Sequence, residues 1–301
     1  MNGSVLSKIE SLYPTLSKSH KRIADYILQN YEKAAFLTAA RLGEETGISV
    51  STVVRFATHM GYEGYPEFQE ALQETVKGKL TSTQRMKVAE PRLQGANLLE
   101  TTMRRDMDMI KETLANISQE DFDGAARAIN EANHIYIIGV RSAASLASFM
   151  YFYFRQVYSE VRLITTNSSS EMFEELFRVG PDDVCIVATF PRYSTSVYKM
   201  ALYAHEKGAK LVAITDNSHA PIASIADHLL IARSTMASYI DSLVAPLSLI
   251  NALILSASGG RRDDAMENFS ELEKVWQKYN VYENLEQTGG DSGEKGGPHG
   301  K

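Results

Sequence analysis

The sequence predicts an α + α/β protein: an all-helical N-terminal domain, then an α/β domain whose open parallel sheet carries helices on both faces. Two rhythms predict this. From Leu16 to about Val76 apolar residues recur at helical spacing, as Ile23, Ile27 and Tyr31 and then Leu42, Ile48, Val53 and Phe56, with no strand alternation between them. From His134 onward, five short apolar runs at 134–139, 161–165, 184–189, 210–215 and 228–232 alternate with longer amphipathic segments, the pattern of βαβ units. A chain of 301 residues is long enough to bury two separate cores.

Taken in order, residues 1–77 form the helical domain. Residues 78–97 are polar and hold Gly78, Pro91 and Gly95, so they read as a linker. An amphipathic segment near 98–117 is expected to dock on the second domain, which with its leading and trailing helices spans 98–285. Helices are expected after the first three strands, near 142–157, 169–178 and 194–207. A short helix is expected between 220 and 226, and a long one near 237–256. Residues 286–301, rich in glycine and charge, read as a disordered tail.

Composition narrows the function. The single cysteine, Cys185, excludes an internal disulfide and a cysteine zinc cluster. Its place in an apolar run predicts a buried structural thiol. The first residues contain no apolar signal core. The longest apolar stretch, near 243–255, is broken by Pro246, Ser248 and Asn251 and is too short to span a bilayer. A cytoplasmic protein with no membrane partner is expected. No metal-ligand spacing and no nucleotide fingerprint occurs, so no cofactor or metal is expected. The formal net charge is −6. In the first eighty residues nine basic side chains balance nine acidic ones, so nucleic-acid binding there must rest on a motif rather than on bulk charge.

Residues 39–56 carry such a motif. A helix-turn-helix needs a small residue where its helices meet, a residue tolerant of positive φ four positions later, and apolar residues between the helices. Gly43 and Gly47, with Leu42, Ile48, Val53 and Phe56, fill these places. Ser49 is placed to cap the second helix. Ser49, Ser51, Thr52 and Arg55 then lie outward near its start, where they could reach phosphates and base edges in a major groove. The run Ser51-Thr52-Val53-Val54-Arg55-Phe56 and the continuation Gly61-Tyr62-Glu63-Gly64-Tyr65-Pro66-Glu67-Phe68 closely resemble the RpiR family of regulators over roughly residues 5–76. The resemblance implies operator DNA as a partner.

That family carries a sugar-isomerase (SIS) domain after a linker, and the region from about 120 to 257 is similar to it. The similarity lies in Ile135-Tyr136-Ile137-Ile138-Gly139, in Asp182-Asp183-Val184-Cys185-Ile186-Val187-Ala188-Thr189 and in the segment Lys207 to Asp216, followed by Ala226-Asp227. It implies a flavodoxin-like, five-stranded parallel sheet with its ligand beyond the carboxyl ends of the strands. Two loops depart from the family's phosphosugar pattern. The first, usually G-x-G-x-S, is Gly139-Val140-Arg141-Ser142-Ala143. The other, usually S-x-S-G-x-T, is Thr189-Phe190-Pro191-Arg192-Tyr193-Ser194. Arginines stand where glycines would let backbone approach a phosphate, and guanidinium groups bind phosphate or carboxylate bidentately. Arg141, Ser142, Thr189, Arg192 and Ser194 are therefore the candidate ligand residues, and a small anionic sugar, either phosphate or acid, is the expected ligand. Ser142 and Ser194 also sit where helices begin and could serve as caps. Asp216 is assigned mainly to a turn, Glu171, Glu174 and Glu175 to a solvated helix face, and His134 to an exposed strand start.

These readings predict a ligand-responsive regulator of carbohydrate metabolism genes and not an enzyme, with no catalytic residue assigned. The alternative is a phosphosugar isomerase or lyase with an accessory N-terminal domain. Isomerisation needs a general base beside the substrate carbon, and no Glu/His pair can be placed at the strand ends. A third reading is a metabolic adaptor that binds another protein through its helices. The long helix near 242–255 is apolar nearly all round, which predicts burial on every side and hence a homodimer or homotetramer.

Overall fold

The computed structural model describes residues 5–77, 80–93, 97–235 and 239–282; the expected tail at 286–301 lies outside them. Six helices build the N-terminal region: α1 (Val5–Leu12), α2 (Lys18–Gln29), α3 (Tyr31–Ala34), α4 (Ala39–Thr46), α5 (Val50–His59) and α6 (Tyr65–Lys77). Their apolar stripes meet in one core of Ile9, Ile23, Ile27, Leu42, Val53, Phe56, Phe68 and Leu72, all buried. Phe56 sits at its centre, edge-on to Phe68 at 5.7 Å and to His20 at 5.5 Å. The core continues through Val76 to Leu80.

The stretch that reads as a linker carries a helix, α7 (Ser82–Leu93). Its start is a reciprocal cap. Thr81 Oγ1 accepts the Gln84 N–H at 3.3 Å, and Gln84 Oε1 accepts the Thr81 N–H at 2.7 Å, which satisfies two amides that a helix start otherwise leaves open. Two further helices, α8 (Leu98–Asn116) and α9 (Gln119–Glu131), lead into the sheet. Asn97 and Ser118 cap them.

The second domain alternates as its rhythm predicts: β1 (Ile135–Ile138), α10 (Ala143–Phe154), β2 (Val161–Ile164), α11 (Ser169–Leu176), β3 (Val184–Ala188), α12 (Thr195–Glu206), β4 (Lys210–Thr215), β5 (His228–Ile231), α13 (Val244–Gly259) and α14 (Arg262–Lys278). The strands are all parallel in the order β2-β1-β3-β4-β5. Residues alternate between two cores. Ile135, Ile137, Val184, Ile186, Val212 and Ile214 face α9, α10 and α13, while Tyr136, Ile138, Cys185, Val187, Leu211 and Ala213 face α11 and α12. Both faces being covered explains why β1 and β3 are apolar without alternation. Cys185 is fully buried, and that burial pushes its thiol pKa up.

Two expected helices differ in detail. Residues 221–224 make only a 3-10 turn. The long helix begins at Val244 rather than near 237, because Pro246 fits a first helical turn, where its missing N–H costs nothing, but not a helix interior. Residues 236–238 lie outside the described residues. Most of α13 is buried within its own domain, by Leu249, Ile250, Leu253 and Ile254, but Leu255 is 75% exposed. Among the described residues no helix is long and apolar enough to cross a membrane.

Candidate functional site

Two surfaces carry the candidate residues. The first is the exposed side of α5. Gly43 lets α4 approach it, because a Cβ there would lie 2.7 Å from the Ile48 carbonyl oxygen. Gly47 ends α4 in the left-handed conformation at φ 64°, which Gly adopts without steric cost. The Arg22 guanidinium donates to the Thr46 carbonyl at 2.6 Å and so fixes α2 against the turn. Ser49, Ser51, Thr52 and Arg55 are all on the exposed side. Ser49 occupies the cap position but does not cap. Its hydroxyl instead shares hydrogen bonds with Ser51 Oγ at 3.1 Å and Thr52 Oγ1 at 2.9 Å. Arg55 donates to Thr52 Oγ1 at 3.2 Å, so four polar side chains form one connected patch, flanked by exposed Val50 and Val54. Glu44 and Glu45, the acids of α4, are paired with Arg41 and Lys33 at 2.7 Å each. Behind α5, the His20 pKa is lowered, first by burial and then by His59 and Arg55.

The second surface is a cavity of about 600 Å³ beyond the carboxyl ends of β1 and β3. These neighbouring strands are where the chain reverses its direction of travel across the sheet, so their loops splay apart and leave a crevice. Arg141, Ser142, Thr189, Arg192 and Ser194 all line it. Gly139 is required by space: a Cβ would meet the Ala143 carbonyl oxygen at 2.6 Å and Ala147 Cβ at 2.9 Å. Arg141 holds a left-handed backbone at φ 57°, a conformation natural to glycine and costly for other residues. The side chains of Arg141 and Arg192 are exposed toward the cavity, and neither is paired with a carboxylate among the described residues. Helices α10 and α12 both start at the rim, so their positive ends add to the potential there. Ser194 caps α12, accepting the Val197 N–H at 3.5 Å, while the Ser142 hydroxyl makes no cap.

Other candidates have structural places. Asp216 is buried and accepts from the Tyr193 hydroxyl at 2.7 Å, and Tyr193 also accepts from Asn217 at 3.0 Å. Asp216 thus holds the arginine-bearing loop after β3. Glu171 accepts from Thr166, and Glu174 and Glu175 are exposed away from the cavity. His134 is not simply exposed: its Nδ1 lies 2.7 Å from Asp183 Oδ1, at the opposite end of the strands.

A charged pair in the cavity wall escapes sequence reasoning. Arg85 of α7 and Asp241 before α13 both line it, joined by an ion pair at 2.7 Å with side chains 4% and 10% exposed. The Thr81-x-x-Gln84 spacing was a readable signal for the helix that carries Arg85. Nothing local signals Asp241, since its partner is 156 residues away.

The helix-turn-helix domain of the rpiR family matches residues 3–79, and the SIS domain matches residues 128–256. Among curated proteins, the chain is 23% identical to an uncharacterized HTH-type transcriptional regulator of Haemophilus influenzae, over 76% of this chain and 80% of that one. It is 26% identical to the HTH-type transcriptional regulator HexR of Pseudomonas aeruginosa, over 70% and 73%. Among solved structures, the sugar isomerase domain of an RpiR transcription factor from Sphaerobacter thermophilus superposes with a TM-score of 0.57 at 24% identity, covering 60% of this chain and 99% of that one. The Vibrio vulnificus NanR protein complexed with ManNAc-6P gives 0.57 at 20% identity, covering 93% and 100%. A helix-turn-helix joined to an SIS fold defines a two-domain transcription regulator. The chain belongs to the RpiR family of HTH-type transcriptional regulators.

Proposed function

We propose that this regulator binds operator DNA through the outer face of α5 and senses an anionic sugar metabolite, a sugar phosphate or sugar acid, in the cavity beyond β1 and β3. The observation that carries the ligand class is the pair of guanidinium groups, Arg141 and Arg192, lining one cavity without carboxylate partners among the described residues. Arginines facing a half-enclosed space favour an anion strongly. The NanR relative of the same fold is complexed with ManNAc-6P, which supports a sugar phosphate.

A sensor rather than an enzyme fits the lining. Among the described residues the cavity walls hold no Glu or His, and their one carboxylate, Asp241, is engaged by Arg85. In the ligand-free cavity no carboxylate or imidazole among the described residues is left unpaired to move a proton between carbons. The regulator acts on DNA in the cytoplasm, as a homodimer that presents two α5 helices to a two-fold operator. An exposed apolar stripe on α8 supports self-association, with Leu99 72% and Leu114 76% exposed and Met103 and Met107 between them.

Calorimetric titration of sugar acids, sugar phosphates and neutral sugars, combined with mobility-shift assays on the DNA beside its own gene, tests the reading. Anions should bind and change DNA affinity, and neutral sugars should do neither. A tight neutral ligand, turnover of a sugar phosphate, or light scattering showing a monomer at micromolar concentration would each refute the corresponding part.

A further inference from the structure

Helix α7 joins the two domains through adjacent residues. Gln84 donates to Glu32 of α3 at 2.6 Å, and Leu80, just before the helix, is buried in the N-terminal core. The next residue, Arg85, reaches the other way and donates through Nη1 to Asp241 Oδ2 at 2.7 Å. The Arg85–Asp241 pair forms part of the wall of the cavity that holds Arg141 and Arg192. Ser82, one helical turn before Arg85, lines it too.

The pair is poorly compensated on the carboxylate side. Asp241 Oδ1 is buried with no hydrogen-bond partner among the described residues. A buried carboxylate is held well only when both oxygens are engaged. A phosphate or sugar carboxylate entering the cavity offers several oxygens to a guanidinium in a bidentate geometry that this pair does not achieve. Asp241 follows two exposed residues, Tyr239 and Ile240, so the segment that carries it borders solvent. Among the described residues the cavity wall holds three guanidinium groups against one carboxylate, a balance suited to a ligand with one or two negative charges.

We propose that Arg85 is a third ligand-binding cation and that Asp241 is a resident carboxylate occupying it until a ligand anion displaces it. Exchange of Arg85 from Asp241 to the ligand then shifts α7, and with it the helix-turn-helix domain that Gln84 and Leu80 tie to the same helix. The coupling rests on the anion-sensing reading above. It adds that the ligand site is built from both domains, so occupancy is felt at α5 without any motion of the sheet.

The test titrates inorganic phosphate, glucose 6-phosphate and gluconate into the full chain and into Arg85→Met, Asp241→Asn, the double variant and Arg192→Ala. Arg85→Met should weaken the best of these anions about tenfold or more, as loss of a charge-assisted contact does. Asp241→Asn should tighten it about three- to tenfold, since a competing internal partner lowers apparent affinity by the fraction of time it holds the site. The double variant removes both charges, so it should fold without a stranded carboxylate and bind as weakly as Arg85→Met. Amide exchange in residues 82–93 should rise with anion in the wild type and not in Arg85→Met. The opposite signs of the two single variants are the diagnostic, because a purely structural strut would lose affinity from either side. If both weaken binding alike, or neither changes it while Arg192→Ala does, this inference fails and the anion-sensing reading stands. If the wild type binds none of the three anions, both fail.

Discussion

The face of α5 and the cavity beyond β1 and β3 both present arginine and hydroxyl groups to solvent, yet they hold them differently. On α5 the polar groups bond to one another, Ser49 to Ser51 and Thr52, and Arg55 to Thr52. The acids of the neighbouring helix are paired with Lys33 and Arg41. In the cavity Arg141 and Arg192 have no such partners among the described residues. A surface that docks on a regular polyanion can keep its side chains loosely satisfied, because the duplex supplies many phosphates and shape does the orienting. A site for one small anion must hold charge in readiness. The two regions also rest on separate cores, one centred on Phe56 and one on the sheet.

The strongest test of that separation is Phe56→Ala. The ring is fully buried between His20 and Phe68, so truncation should cost about 3–5 kcal/mol, a large share of a small domain's stability. Differential calorimetry should show one transition falling sharply and the sheet domain's transition holding, with DNA binding lost and anion binding weakened no further than in Arg85→Met. One cooperative transition that falls as a whole would mean that the two cores are a single folding unit.

Arg192→Ala sharpens the comparison from the other side. Loss of a charge-assisted contact should weaken the anion by about 1.5–3 kcal/mol, while DNA affinity of the ligand-free protein stays at the wild-type level. Anion affinity indifferent to this change would assign Arg192 to structure and move the specificity elsewhere. Arg55→Ala is the mirror experiment: about 1–3 kcal/mol in operator affinity if a base contact is lost, or a salt slope lower by about one if a phosphate contact is lost. Unchanged affinity and unchanged slope would remove Arg55 from the interface.

How much of this was legible beforehand depended on how local the signal was. Gly43 and Gly47 announced the helix-turn-helix because its geometry is set within about a dozen residues. The five apolar runs announced the sheet because burial on both faces writes itself into each strand. The five ligand candidates at 141–142, 189, 192 and 194 met at one cavity as the resemblance to the SIS domain implied, since it set the loops after β1 and β3 side by side at the strand ends. At 78–97 composition pointed to a linker, and beside Gly78, Pro91 and Gly95 the Thr81–Gln84 cap that starts α7 went unread. The Arg85–Asp241 pair was beyond reach, since nothing at either position names a partner so distant in sequence. Ser49 illustrates a finer limit. Its position at the helix start was readable, but the choice its hydroxyl makes between a backbone amide and two neighbouring hydroxyls is decided by rotamers.

The smallest expected effect bears on why an arginine stands where the family pattern has glycine. Arg141 sits at φ 57°, where a side chain costs about 1–2 kcal/mol against Cβ contacts. Arg141→Gly removes that cost but loosens the unfolded chain, which gives back about 0.4–1 kcal/mol. The folded domain should therefore gain about 0.5 kcal/mol, a small rise in melting temperature of the sheet domain. The same variant removes one of the cavity's guanidinium groups and should weaken anion binding roughly tenfold. Stability and affinity would then move in opposite directions, as expected where strain is retained for function. A variant that loses stability would show that the arginine side chain holds the loop in place. A variant that keeps full anion affinity would show that the left-handed turn, which glycine preserves, orients the ligand through backbone and hydroxyl groups alone.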